Sequence, residues 1–133
     1  MKTRILFLIS AAFICNCAVS QNRITTWDCS KITAIRAEFA SGNDGGYCIT
    51  LTNPEAIDSV LQFLRETEFR EYDAASGERF NTSDPWIIRL TFTGQRDWIY
   101  FWQDHATVGK TLFTIDKKVV RDVKKIITHC KKC

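Results

Sequence analysis

The chain has little of what most catalytic sites are built from. It carries two histidines, His105 and His129, and none of the short patterns that mark a nucleophile elbow, a Gly-rich phosphate loop or an HExxH zinc helix. That argues against an enzyme of those classes, and no cofactor is implied. The chain also lacks an apolar run long enough to span a bilayer. Ile5–Ile14, broken only by Ser10, covers about ten residues where a transmembrane helix needs ~20. No Pro-, Gly- or Ser-rich stretch divides it, and no repeat or low-complexity tract interrupts it. Strong net charge is missing too. Its 18 basic and 15 acidic side chains give a formal +3, whereas a nucleic-acid-binding domain is more often basic throughout.

What is present first is an export signal. Lys2 and Arg4 precede the apolar run, and Ala18-Val19-Ser20 supplies small residues for signal peptidase. Residues 1–20 therefore read as a secretory signal peptide, and residues 21–133 as one exported domain, periplasmic or extracellular. Lipidation at Cys15 or Cys17 is the disfavoured alternative, because Ile14 and Asn16 stand where a small residue is wanted. Asn81-Thr82-Ser83 forms a glycosylation acceptor pattern that matters only in a eukaryotic secretory pathway. From Lys117 onward, Lys117, Lys118, Arg121, Lys124, Lys125, Lys131 and Lys132 face Asp122 alone. This is a solvated helix face, or a basic tail suited to an anionic surface.

Periodicity gives the fold class. Ile35, Ala37 and Phe39 alternate with Arg36 and Glu38, the pattern of a half-buried strand. After a turn near Asn43-Asp44, Tyr47, Ile49 and Leu51 alternate with Cys48 and Thr50, which predicts an antiparallel hairpin. Asn53-Pro54-Glu55 is a helix start, and Ile57, Val60, Leu61 and Leu64 form its buried stripe. Residues 68–73 read as a short edge strand, 74–85 as a polar loop and 86–93 as a strand. Gly94-Gln95 reads as a two-residue turn into the strand around 97–103. Residues 104–110 read as a loop and 111–115 as the last strand. Asp116 caps a final helix with Val119, Val120, Val123, Ile126 and Ile127 on one face. The order β-β-α-(β)-β-β-β-α predicts an α+β domain: one antiparallel, curled sheet of five to six strands with two helices on one face.

The run Trp98-Ile99-Tyr100-Phe101-Trp102 is apolar at every position, so both faces of its strand carry bulky groups. With the turn at Gly94-Gln95, Leu90 faces Ile99 and Arg89 faces Tyr100. Trp86, Ile88, Leu90 and Phe92 then share the core face with Ile99 and Phe101. Ile87, Arg89, Thr91, Trp98, Tyr100 and Trp102 share the opposite face, with Arg89 in cation–π reach of the rings. Three readings of that face compete. The sheet curls, or the lead-in around Trp27 or the 74–85 loop folds over, and covers the rings. Alternatively the face binds a protein, since Trp, Tyr and Arg dominate interface hot spots. Or it is a platform on which sugar rings stack.

Cys29, Cys48, Cys130 and Cys133 are an even number in an exported domain, which points to disulfides. The hairpin register argues against Cys29–Cys48, so the expected bridges run from the tail cysteines back to Cys29 and Cys48. A thiol-redox or metal-handling role for Cys130-Lys131-Lys132-Cys133 is the alternative. It is weakened because the motif follows a helix rather than opening one. The spacing of Cys29, Cys48, His129, Cys130 and Cys133 matches no zinc ribbon or finger, so no metal site is expected. Asp104-His105 resembles a general-base pair in composition. Neighbours on an extended chain point apart, however, so His105 reads as an exposed loop histidine. The sequence thus predicts a non-catalytic binding module with a protein partner or, less readily, a glycan, using Arg89, Trp98, Tyr100 and Trp102.

Overall fold

A computed structural model describes residues 23–40, 46–77, 79–80 and 85–132. The signal segment with Cys15 and Cys17, the turn at Asn43-Asp44, the acceptor triplet at Asn81 and Cys133 lie outside the described residues. The elements are β1 (Ile35–Phe39), β2 (Tyr47–Leu51), α1 (Pro54–Glu66), β3 (Arg70–Glu71), β4 (Ile88–Phe92), β5 (Ile99–Phe101), β6 (His105–Val108), β7 (Thr111–Thr114) and α2 (Lys118–Lys132). The seven strands form one open antiparallel sheet in the order β2-β1-β4-β5-β6-β7-β3.

This strand order dictates where the helices lie. α1 leaves β2 at one edge and must deliver the chain to β3 at the other. At ~4.8 Å per strand spacing the sheet is roughly 29 Å wide. α1, at ~1.5 Å per residue, spans about 20 Å of it. α2 leaves β7 near the second edge and returns to pack on β2 and α1. The two helices therefore cross the same sheet face in opposite senses, and the core lies between them and the sheet. Ile57, Val60, Leu61 and Leu64 of α1 and Val119, Val120, Val123 and Ile127 of α2 are buried there. So are Ile35, Ala37, Ile88, Leu90, Ile99, Phe101, Ala106 and Phe113 of the sheet. Each large side chain so buried contributes ~1.5–3 kcal/mol.

Local chemistry fixes the helix starts. The Asn53 side chain accepts from the N–H groups of Glu55 (2.8 Å) and Ala56 (3.3 Å), and Pro54 occupies the first turn. Asp116 accepts from the Lys118 N–H at 3.0 Å. The register expected of β4 and β5 holds: Arg89 pairs with Tyr100 and Leu90 with Ile99. The turn between them differs. It is centred on Thr93-Gly94, with the Gln95 N–H donating to the Phe92 carbonyl (3.2 Å) and Gly94 at φ 78°. Thr93 turns aside to bond the Ala34 carbonyl at 3.1 Å, so the ladder resumes only at Leu90–Ile99.

Residues 104–110, expected to form a loop, contain β6 and the Gly109-Lys110 turn. Ala106 and Val108 fill the core while His105 and Thr107 face away, an alternation masked in sequence by small residues. This raises the strand count to seven. Trp86 is a second correction. Alternation holds only from Ile88, where the ladder begins; a bend at Ile87 sends Trp86 to the helix-free face and packs Ile87 against the core.

Candidate functional site

The helix-free face brings together the four predicted residues Arg89, Trp98, Tyr100 and Trp102. Along β5 and its flanks the rings of Trp98, Tyr100 and Trp102 form a ladder. Trp98 and Tyr100 lie 6.4 Å apart and inclined by 35°, Tyr100 and Trp102 6.2 Å apart and inclined by 30°. Trp86, which the sequence placed in the core, joins edge-on to Tyr100 at 5.8 Å. The Arg89 guanidinium sits 5.2 Å from both the Trp86 and Trp98 rings and 5.9 Å from Tyr100. It is held there from behind. Glu38, its cross-strand partner on β1, accepts from Nε at 2.8 Å and from Nη2 at 2.5 Å.

This bidentate pair sets the electrostatics of the face. The hydrogen bond from Arg89 holds the Glu38 carboxyl below its ordinary range against the opposing effect of burial. The same bond to Glu38, with a further one to Tyr100, holds the Arg89 proton more tightly than usual. A fixed guanidinium among three rings is a rigid platform rather than a loose side chain. Covering is partial. Trp27 packs edge-on to Phe92 at 4.9 Å on the helix side and does not reach the ladder. The sheet does not close. Trp98 keeps 43% of its surface exposed, a large value for tryptophan.

At the far end of the ladder the chain does fold over. Phe80 meets Trp102 edge-on at 5.0 Å and lies tilted across His105 at 4.8 Å; Tyr72 meets His105 at 5.6 Å. His105 is therefore buried (5% exposed), contrary to the exposed loop histidine expected. Its Nδ1 is 2.8 Å from Asp104 Oδ1. The pair can form because Asp104 lies in a bend, not on an extended strand, so its side chain turns back on its neighbour. An ionised carboxylate only accepts, so Nδ1–H is the donor of this bond. Buried Nε2 has no hydrogen-bond partner.

The cysteines do not gather. Cys29 accepts from Arg65 Nη2 at 2.8 Å on the helix side, and Cys48 from Arg36 Nε at 3.2 Å on the open side of edge strand β2. Cys130 packs half-buried against the core on α2. No disulfide joins Cys29, Cys48 and Cys130, so the bridge expected from Cys130 is absent, while the one expected from Cys133 lies outside the described residues. The reason is topological. Cys29 lies at the end of α1, and α2 begins beside that end and runs away from it. Cys130 is about 16 Å further along the α2 axis than Val119. Cys48 points to the other side of the sheet. Among the described residues no group of three or more His, Cys, Asp or Glu side chains is placed to hold a metal ion. No helix of the described residues is long and apolar enough to cross a membrane. No protein-family model matches the chain, and no curated protein or solved structure is similar to it.

Proposed function

We propose that this is a non-catalytic binding module of an exported protein, and that its partner is a protein docking on the helix-free sheet face. Arg89, Trp98, Tyr100 and Trp102 carry the contact. The supporting observation is the exposure of Trp98 in line with Tyr100, beside an arginine already fixed by Glu38. Aromatic rings and arginine held in place before binding lose little side-chain freedom on association. A glycan platform uses the same rings and is the second reading. A thiol-redox role for Cys130 has less behind it, since the α2 C-terminus disfavours a thiolate there.

The test is affinity capture from the proteins of the source's extracellular or periplasmic fraction. The bait is wild type, Trp98→Ala, or Lys124→Ala on the exposed face of α2. A protein held by wild type and Lys124→Ala but lost from Trp98→Ala, with melting temperatures unchanged, is the expected result. Equal capture by Trp98→Ala refutes the proposal. Binding that is competed by free sugars moves the face to the glycan reading.

A further inference from the structure

The Asp104–His105 pair opens onto a pocket at the Trp102 end of the aromatic face. A cavity of about 420 Å³ is lined by Arg79, Phe80, Trp102, Asp104, His105 and Lys117, among others. This lies within the size range of small-ligand sites, about 300–1,000 Å³. Three of its features each constrain a ligand. His105 Nε2 is a buried polar atom with no partner, an arrangement that is costly unless a ligand hydrogen-bonds to it. Arg79 and Lys117 are cations that make no ion pair among the described residues, while Asp104 is engaged by His105. Among the described lining residues two side-chain cations stand against one carboxylate, an excess of one that suits a monoanion better than a dianion. The Phe80 and Trp102 rings supply apolar walls suited to the C–H face of a pyranose.

We propose that this pocket binds a sugar acid, a pyranose bearing one carboxylate. One ligand hydroxyl hydrogen-bonds to His105 Nε2, and the carboxylate meets Arg79 and Lys117. Phe80, tilted across the imidazole, swings aside to admit it. The site shares Trp102 with the docking face but not Trp98, so a Trp98 replacement separates the two.

The experiment is a titration of protein labelled with ¹⁵N in its histidine rings, read by long-range ¹H–¹⁵N spectra, with D-glucuronate as the probe. Glucuronate should shift the Nε2 resonance saturably. Glucose, which lacks the carboxylate, and acetate, which lacks the hydroxyls, should not. Glucose 6-phosphate should bind more weakly than glucuronate. Lys117→Gln and Arg79→Gln, both at exposed positions, should each weaken glucuronate about tenfold, as expected for losing a charged hydrogen bond. Trp98→Ala should leave the titration unchanged.

No saturable Nε2 shift with glucuronate overturns the proposal. So does binding of acetate or glucose as tight as that of glucuronate, or affinity unaffected by both cation replacements. Tighter binding of glucose 6-phosphate overturns the monoanion assignment and with it the proposal.

Discussion

Glu38→Gln removes the charge that holds Arg89 under the aromatic ladder while keeping the side chain's size. Glu38 accepts two hydrogen bonds from one guanidinium, and the two side chains retain only 22% and 26% of their exposure. That excludes the near-zero value of a solvated surface pair. It also excludes the 3–5 kcal/mol lost when one partner of a fully buried pair is removed. One charged bond is lost and the other keeps its charged donor but loses its charged acceptor, so the expected loss is about 1–2 kcal/mol. For a domain of this size that lowers Tm by roughly 4–8 °C. The pH dependence identifies the cause. The folded Glu38 carboxyl titrates below its ordinary value of 4.5. A depressed folded pKa gives stability that is fully present above the unfolded pKa and lost as pH falls through the folded one. The wild-type advantage over Glu38→Gln should therefore be constant above about pH 5 and shrink progressively toward about pH 3. Urea denaturation of both proteins across that range is the assay. A gap of the same size at both ends would refute the electrostatic account and leave only a packing difference.

Three further outcomes follow from the packing and the thiols. Leu64→Ala, at a fully buried position on α1, should cost about 2–5 kcal/mol in the same denaturation assay. Gly109→Ala should cost at least about 1 kcal/mol, because φ is 63° and a Cβ would lie 2.7 Å from the Asp97 carboxylate; a neutral change would show that the β6–β7 turn is not held as described. Under native conditions Cys48, exposed on edge strand β2, should be alkylated faster than half-buried Cys29, as read by peptide mass. Each thiol has an arginine beside it, so a Cys29 that alkylates first would contradict its half-buried position.

Most of the fold was legible because its signals are local. The Asn53-Pro54 start and the i, i+3, i+4, i+7 stripe of α1 need no tertiary information, and neither does the alternation of β1 and β2. The four residues of the aromatic face were also legible, because pairing Arg89 with Tyr100 follows from alternation on either side of the turn. What failed depends on chain path. β6 is written in small and polar residues and becomes a strand only between β5 and β7. Trp86 changes face through a single bend outside the ladder. His105 is buried only because Phe80 and Tyr72, far from it in sequence, fold over it. The bridge expected from Cys130 is absent for a similar reason: an even count says nothing about which side of a sheet each thiol occupies.

The central claim is that Trp98 stands open on a preformed face and is covered when a partner binds. The most direct measurement is ¹⁹F NMR of protein labelled with 5-fluorotryptophan, in the presence of a soluble paramagnetic agent. The four tryptophan resonances are assigned by single Trp→Phe variants. Trp98 should broaden most, well ahead of half-buried Trp27, Trp86 and Trp102, and should lose that broadening when the captured partner is added. A Trp98 resonance already protected in the isolated protein, or one still broadened in the complex, would contradict the account.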